Sequence, residues 1–308
     1  MNITLRQLKV FEAVARHLNY TRAAEELFLS QPAVSMQIKQ LEDDLGQPLF
    51  EKMGKKVYLT EAGKEAWRYS LSIMSQLNEM EIVMQEMTGL QHGKLTLTVA
   101  STANYFVPTL LSVFKQRHQG VAVNIDVTNR ENLLKALAAN TTDFAIMGQP
   151  PGGLGLEAHP FLDNPLVVLA APDHPLVHHQ NIPLKLLREE TFIEREQGSG
   201  TRAARERFFA EHGGQEFRET MEMNSNEAIK QAVQAGLGLG VLSIHTLEAE
   251  LKLKRLAILD VADFPIMRHW YIVHRQGKRF SAIAQAFKEF VLNEAPSLLK
   301  VPSANTTR

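Results

Sequence analysis

The sequence predicts an α/β chain of two unlike parts. An α-rich N-terminal domain is built on a helix-turn-helix with a hairpin wing, and one long helix joins it to a larger region of alternating strands and helices. Three observations carry this. Residues 21–45, TRAAEELFLSQPAVSMQIKQLEDDL, read as two short helices around a tight turn. From Ala66 to Met87, residues of one seam recur at alternating spacings of four and three. From Lys94 onward, strand-like runs alternate with helical ones, the pattern of α/β units with largely parallel sheets.

The first helix opens with the capping box Thr4-Leu5-Arg6-Gln7, and Leu5, Leu8, Phe11, Val14 and Leu18 give it an apolar face. Ala23, Ala24 and Leu27 do the same for the second helix. Phe28 and Leu29 lead into the turn, Ser30 is a good N-cap, and Pro32 sits where a missing N–H costs nothing. In the third helix Val34, Ile38, Leu41 and Leu45 form the buried stripe. Its other side carries Pro32, Ser35, Met36 and Lys39, with Gln31 at the tip. These short or hydrogen-bonding groups beside one cation suit base edges and phosphates in a major groove. The acidic run Glu42-Asp43-Asp44 would be repelled by phosphate, so only the N-terminal half of this helix is expected to enter DNA.

Gly46 ends the third helix, and residues 51–60 read as a hairpin whose tip carries Lys52, Lys55 and Lys56, a wing for the DNA backbone. Residues 1–64 hold nine Lys/Arg against eight Asp/Glu, and the whole chain of 308 residues has a net charge of −1. A nucleic-acid reading therefore rests on where charge is placed, not on its total. The absence of cysteine excludes disulfides, thiolate nucleophiles and cysteine-ligated metals. No secretory signal is expected, because the start is already an amphipathic helix with Arg6 and Lys9, and no apolar run approaches the ~18 residues of a membrane span. A cytoplasmic protein is the expectation.

Thr60 caps the long helix, whose seam runs through Ala66, Ser70, Ile73, Leu77, Met80, Met84 and Met87. Gly89 and Gly93 break it into a hinge. Strands are expected at residues 94–100, 121–127, 143–147, 166–171, 191–194, 220–223, 239–242, 256–259 and 270–274, and a last helix over about 280–293. The tail from Ala295, rich in Pro, Ser, Asn and Thr, is expected to be disordered.

Open parallel sheets bind ligands at the carboxyl ends of strands, beside helix N-termini. Candidate positions are Ser101 and Thr102 after the first strand, Gly148 and Gln149 after the third, and Asn226 at the start of a later helix. A further stretch is Gly198-Ser199-Gly200-Thr201-Arg202, where glycines bare the backbone and an arginine lies near a helix start, as in an anion site. Asn129 belongs to the same set. Routine N-capping explains any one of these stretches equally well. Enzyme signatures are weak. Gly236-Leu237-Gly238-Leu239-Gly240 follows a helix and enters a strand, the wrong order for a dinucleotide fingerprint. Gly198-Ser199-Gly200 lacks the spacing of a nucleophile elbow. His174, His178 and His179 have no carboxylate at ligand spacing, so no metal is assigned there.

Residues 1–64 closely resemble the winged helix-turn-helix domain of LysR-type transcriptional regulators. The resemblance is carried by Leu5-Arg6-Gln7-Leu8, Phe11, Ala23-Ala24, Leu27, Ser30-Gln31-Pro32-Ala33-Val34-Ser35, Ile38, Leu41-Glu42, Leu45-Gly46, Leu49-Phe50 and Leu59-Thr60-Glu61-Ala62-Gly63. The family often has arginine in the wing where this chain has lysine, a point charge without the bidentate fork. The resemblance implies a DNA-binding domain over residues 1–60, a coiled-coil linker helix over 61–88 that pairs two chains, a hinge at 89–93 and an effector-binding domain over 94–294. That domain resembles a two-lobed periplasmic-binding protein. Its first lobe is expected over 94–162 and 266–294, its second over 163–265, and the tail over 295–308. The implied DNA contacts are Thr21, Gln31, Pro32, Ser35, Met36, Lys39, Lys52, Lys55 and Lys56. The implied effector contacts are the candidate positions above, gathered in one interlobe cleft.

Residues 103–108, 143–151, 198–202 and 225–230 resemble the carbon-fixation branch of the family, whose members control ribulose-bisphosphate carboxylase operons and sense phosphorylated metabolites or NADPH. The resemblance implies an activator of carbon-fixation genes that binds an interrupted palindrome in promoter DNA as a homodimer or homotetramer, engages RNA polymerase and has no resident cofactor, catalytic residue or membrane partner. Regulation of another operon, for inorganic-carbon uptake or carboxylate metabolism, stays open. So does a solute-binding α/β protein with an accessory helical domain, although that reading predicts neither a basic wing nor an exposed seam.

Overall fold

The computed structural model describes residues 3–54, 56–87, 93–212 and 219–299. It divides into two compact units, Met1–Thr88 and Gly89–Arg308. The first holds α1 (Leu5–His17), α2 (Tyr20–Glu26), α3 (Gln31–Leu45), β1 (Phe50–Met53), β2 (Lys56–Leu59) and α4 (Glu61–Met87). The capping box closes both ways: the Gln7 N–H donates to Thr4 Oγ1 at 3.2 Å and the Thr4 N–H to Gln7 Oε1 at 2.7 Å. Phe11, Val14, Ala23, Ala24, Val34, Ile38, Leu41 and Leu49 make one core. Burying each large member is worth roughly 1.5–3 kcal/mol relative to leaving it exposed. β1 and β2 pair antiparallel, Phe50 opposite Leu59, and form the wing.

Gly63 stands in the first turn of α4, where glycine costs a helix about 1 kcal/mol relative to alanine. Contact explains it. A Cβ at this position would lie 2.0 Å from the Leu49 carbonyl oxygen, so only glycine lets α4 pack this closely. The seam of α4 begins later than its spacing implies. Ala66 packs on the N-terminal core and Ser70 is fully buried, whereas Ile73, Met80 and Met84 are exposed. The first two seam positions therefore serve their own domain. The side chain of Met87 lies outside the described residues, as do Lys55 of the wing and all of the expected hinge except Gly93.

The second unit holds β3 (Lys94–Ala100), a 3₁₀ turn over Ser101–Tyr105, α5 (Val107–Arg117), β4 (Ala122–Thr128), α6 (Arg130–Ala138), β5 (Phe144–Met147), β6 (Leu156–Asp163) and β7 (Leu166–Ala170). It continues through α7 (Leu184–Leu187), β8 (Thr191–Arg195), α8 (Gly200–Glu211), β9 (Glu219–Met223), α9 (Asn226–Gln234) and β10 (Leu239–Ser243). It ends with α10 (Glu248–Lys252), β11 (Ala257–Ile258), β12 (His269–Arg275) and α11 (Ala282–Leu298). Two five-stranded sheets result, ordered β4-β3-β5-β12-β6 and β11-β7-β10-β8-β9. They are the sheets of lobe 1 and lobe 2.

The sheets are more mixed than the sequence implies. β3 runs parallel to β4 and β5, but β12 is antiparallel to β5 and β6, and β10 is antiparallel to β7. The chain passes between the sheets after β6 and again before β12. Those two passages are tied together: the Asn164 N–H donates to the Arg268 carbonyl at 2.7 Å, and Leu166 and Ile266 exchange backbone bonds of 3.0 Å. β6 has no counterpart among the expected strands. It lies at a sheet edge, where little burial alternation is imposed, and it carries Pro160, which only an edge or a bulge tolerates. The expected tail is also corrected. α11 runs on through Pro296 to Leu298, with Ala295 fully buried and Leu299 packed in the lobe 1 core, because these side chains still contribute burial. Residues 300–308 lie outside the described set.

Candidate functional site

Two surfaces concentrate the chemistry, one in each unit. On α3, Val34, Ile38 and Leu41 are buried while Gln31, Pro32, Met36 and Lys39 are exposed, and Ser35 is half-buried. The Gln31 side-chain amide donates to Ser35 Oγ at 2.8 Å, so these two groups are presented as one unit. Thr21 is exposed in the first turn of α2. Lys52 and Lys56 are exposed on the wing, and the Lys52 ammonium sits 5.8 Å from the Tyr20 ring centre. Glu42 plays a different part from the one its sequence neighbours imply. Its carboxylate accepts the N–H groups of Leu49 and Phe50 at 2.7 and 3.2 Å, anchoring the entry to the wing. Phe28, expected only to lead into the turn before α3, stands there at positive φ and is 95% exposed.

The second surface is the cleft between the two sheets, where several strands end. β3 runs into Ser101 and Thr102. β4 ends at Thr128, followed by Asn129, whose side chain caps α6 by accepting the Asn132 N–H at 3.0 Å. β5 ends at Met147 and is followed by Gly148, and β8 ends at Arg195, followed by Glu196. Ser199 caps α8, placing Gly200 and Thr201 at a helix start beside the cleft. Such starts present free N–H groups and a positive dipole end.

Charge completes the site. Arg130, Arg195 and Arg268 line the cleft with a single carboxylate, Glu196; three cations against one anion leave a formal +2. Arg195 holds Glu196 at 2.7 and 2.9 Å and also donates to Asn226 at 2.6 Å and Ser101 at 3.3 Å, so it is locked between the lobes. Arg268 reaches across the cleft to the Gly200 carbonyl at 2.9 Å. Neither Arg130 nor Arg268 has an ion-pair partner among the described residues. Burial, then the neighbouring Arg130 and Arg207, push the Arg268 guanidinium down to about 10. Burial and Arg207 push Arg130 down as well. Two half-buried cations without a carboxylate partner among the described residues give the cleft the charge to receive an anion.

Beside it, the Tyr105 hydroxyl of lobe 1 donates to Glu227 of lobe 2 at 2.5 Å. Lys230, buried beneath, meets Glu227 and Glu250 at 2.8 Å each and donates to the Thr246 carbonyl at 3.1 Å. These contacts brace the lobes around the cleft.

Of the sequence-derived effector contacts, Ser101, Thr102, Asn129, Gly148, Ser199, Gly200 and Thr201 line the cleft. Four are corrected. Gln149 is exposed and off the cleft, on the way to Pro150-Pro151. Gly198 forms the turn behind Ser199, with φ +83. Arg202 is held on lobe 2 by Glu206 at 2.8 Å, by Glu222 at 2.5 Å and by Glu194 at 3.5 Å, so its charge is already spoken for. Asn226 stands behind the lining, with its carbonyl on Arg195 and its amide on Thr102 Oγ1 at 3.3 Å. The three arginines escaped the sequence reading. Arg130 and Arg195 do carry the usable signal, since each lies at a strand's carboxyl end. Arg268 carries none, because it precedes an antiparallel strand that arrives from the other lobe.

Fold, reading helix and cationic cleft together define a ligand-responsive DNA-binding regulator, and comparison with known proteins specifies the family. Residues 5–64 match the bacterial regulatory helix-turn-helix protein, lysR family, and residues 88–296 match the LysR substrate binding domain. The chain belongs to the LysR family of transcriptional regulators. It is 57% identical over 295 residues to a RuBisCO operon transcriptional regulator of Allochromatium vinosum, covering 96% of this chain and 97% of that one. It is 44% identical over 302 residues to the HTH-type transcriptional activator CmpR of Synechocystis, covering 97% and 99%. The solved regulatory domain of Synechocystis CcmR, in complex with 2-PG, superposes with a TM-score of 0.63 at 44% identity, covering 67% of this chain and all of that one. No helix among the described residues is long and apolar enough to cross a membrane.

Proposed function

We propose that this chain activates transcription of carbon-fixation genes when a small phosphorylated anion occupies its interlobe cleft. The observation that carries the reading is the cleft's formal +2 charge, with Arg130 and Arg268 free of carboxylate partners among the described residues. A phosphate monoester or a phosphorylated carboxylate supplies the matching charge, and Ser101, Thr102, Thr201 and the start of α8 supply hydroxyl and N–H donors. The empty space is about 490 Å³ with the open solvent at the mouth included. The relatives named above support the carbon-fixation assignment and the activating sign, and 2-PG bound to the CcmR domain supports the ligand class.

The protein works in the cytoplasm as a homodimer or homotetramer, without catalysing a reaction. It sets α3 of each chain into successive major grooves of an interrupted palindrome and engages RNA polymerase there. The anion shifts this binding only by preferring one lobe arrangement, and DNA then changes anion affinity by the same factor. Calorimetry and thermal shift with small phosphorylated carboxylates, 2-PG among them, followed by footprinting with and without ligand, test both halves. The expected result is saturable binding that Arg268→Met abolishes, together with an altered footprint. Equal affinity in wild type and Arg268→Met would remove the cleft, and a bound ligand with an unchanged footprint would remove the coupling.

A further inference from the structure

At the far edge of lobe 1, β6 and β12 pair so that Glu157 faces His274 and His159 faces Ile272. Residues opposite each other, and those two apart along a strand, share one face of a sheet. All four therefore lie on one face, the one whose Ile272 enters the core with Phe287 of α11. The loop histidines 174, 178 and 179 follow β7 in lobe 2 and sit elsewhere.

Here the acceptor atoms converge. One carboxylate oxygen of Glu157 and one ring nitrogen each of His159 and His274 all lie within 4.8 Å of one another. Glu157 Oε2 is 3.9 Å from His274 Nε2. His274 Nδ1 meets the Arg275 carbonyl at 3.0 Å, and a carbonyl only accepts, so Nδ1 carries the proton and Nε2 presents its lone pair. That is the arrangement by which a backbone carbonyl orients a metal-binding imidazole. His159 Nε2 is buried and has no hydrogen-bond partner, an unmet need that a protein seldom keeps without a reason. Burial holds both imidazoles toward the neutral, ligating form, with Lys288 reinforcing this in each.

The nest already contains a cation. Lys288 of α11 places its ammonium 3.0 Å from His274 Nε2, and it makes no ion pair among the described residues. Two neutral imidazoles and a carboxylate around a positive charge form a site that an ammonium fills incompletely, since His159 Nε2 stays unpaired. Two nitrogens and one oxygen, with a fourth position left for water, match a divalent transition metal, zinc above all. Ligand bonds of about 2.0–2.2 Å need only a modest contraction of the cluster and the departure of one flexible lysine head.

We propose that Glu157, His159 and His274 form a divalent transition-metal site in which Lys288 is the displaceable cation. The experiment titrates the full-length, metal-stripped protein with Co²⁺, whose visible absorption reports tetrahedral coordination, and then displaces it with Zn²⁺. One equivalent per chain is expected. Glu157→Gln and His159→Gln, which leave the buried His274 in place, should each weaken binding at least tenfold. Lys288→Met, which removes the competing cation, should tighten it by a similar factor. Near-UV circular dichroism checks that each variant is folded. Co²⁺ absorption that is absent, or unchanged in both Glu157→Gln and His159→Gln, would overturn the site. Weaker or equal affinity in Lys288→Met would overturn the displacement.

Discussion

A Cβ on residue 148 would lie 2.3 Å from Nη2 of Arg268 and 3.2 Å from its Cζ, so Gly148 is the space in which that guanidinium rests. The glycine at the end of β5 acts through an arginine 120 residues later. Gly148→Ala should push Arg268 off the Gly200 carbonyl while leaving the sheet intact. Losing one charged hydrogen bond, worth about 1.5–3 kcal/mol, should lower affinity for a phosphorylated carboxylate roughly 10- to 100-fold. Calorimetry checks this, and undiminished affinity would separate Arg268 from the ligand.

The hydrogen bond between Gln31 and Ser35 makes the tip of α3 a coupled pair. Ser35→Ala and Gln31→Ala should each cost about 1–3 kcal/mol on the cognate site and little on random DNA. The double variant should cost less than the sum, because each single change already breaks the pair. Lys52→Ala and Lys56→Ala should instead weaken both DNAs and flatten the salt dependence. Gel-shift titrations over a range of salt measure all of these.

Exposure of Ile73, Met80 and Met84 on α4 leaves an apolar seam for a second chain. Ile73→Asp with Leu77→Asp should convert a dimer of residues 1–88 to monomer in equilibrium sedimentation. Ser70 is buried within its own unit, so Ser70→Ala should leave the association unchanged. A wild-type fragment that sediments as a monomer would end this reading.

Glu26, at the end of α2, is held by Arg16 at 2.6 and 3.0 Å and by His17 at 2.6 Å, both from the last turn of α1. Arg16 first, then His17, draw its carboxyl down to about 2. A carboxyl depressed in the folded state contributes stability that is present above its unfolded value of 4.5 and lost as pH falls toward 2. The stability gap between wild type and Glu26→Gln should therefore close between pH 5 and pH 2.5, and shrink with added salt because the group is largely solvated. Carbon-13 titration of the Glu26 carboxyl should place its midpoint well below that of an unpaired glutamate.

Much was legible because its causes are local. A capping box, Ser30 before Pro32, and apolar spacing at 3.6 residues act within one or two turns, so α1, α3 and the buried side of the reading helix follow from the residues themselves. Period-two runs such as Lys94–Ala100 announce a strand, and its apolar positions Leu95, Leu97 and Val99 are buried, with Thr98 buried as well. Hydroxyls and glycines after such strands point to Ser101, Thr102, Gly148 and Ser199, since helix starts need those residue types wherever they occur.

What the chain alone could not decide is where distant segments meet. Pro160 conceals an edge strand whose register comes entirely from β12, and burial of Ala295 and Leu299 carries α11 past the point where composition turns polar. Arg202 and Arg268 exchange the roles their sequence settings imply. Arg202, at a glycine-rich helix start, is neutralised by carboxylates brought in from β8, β9 and α8. Arg268, in no recognisable motif, is delivered to the cleft by a chain crossing and kept there by a glycine. Side-chain type and local spacing determine which groups are available, whereas their charge partners depend on contacts between residues far apart in sequence, and those contacts decide which arginine faces the cleft without a carboxylate partner among the described residues.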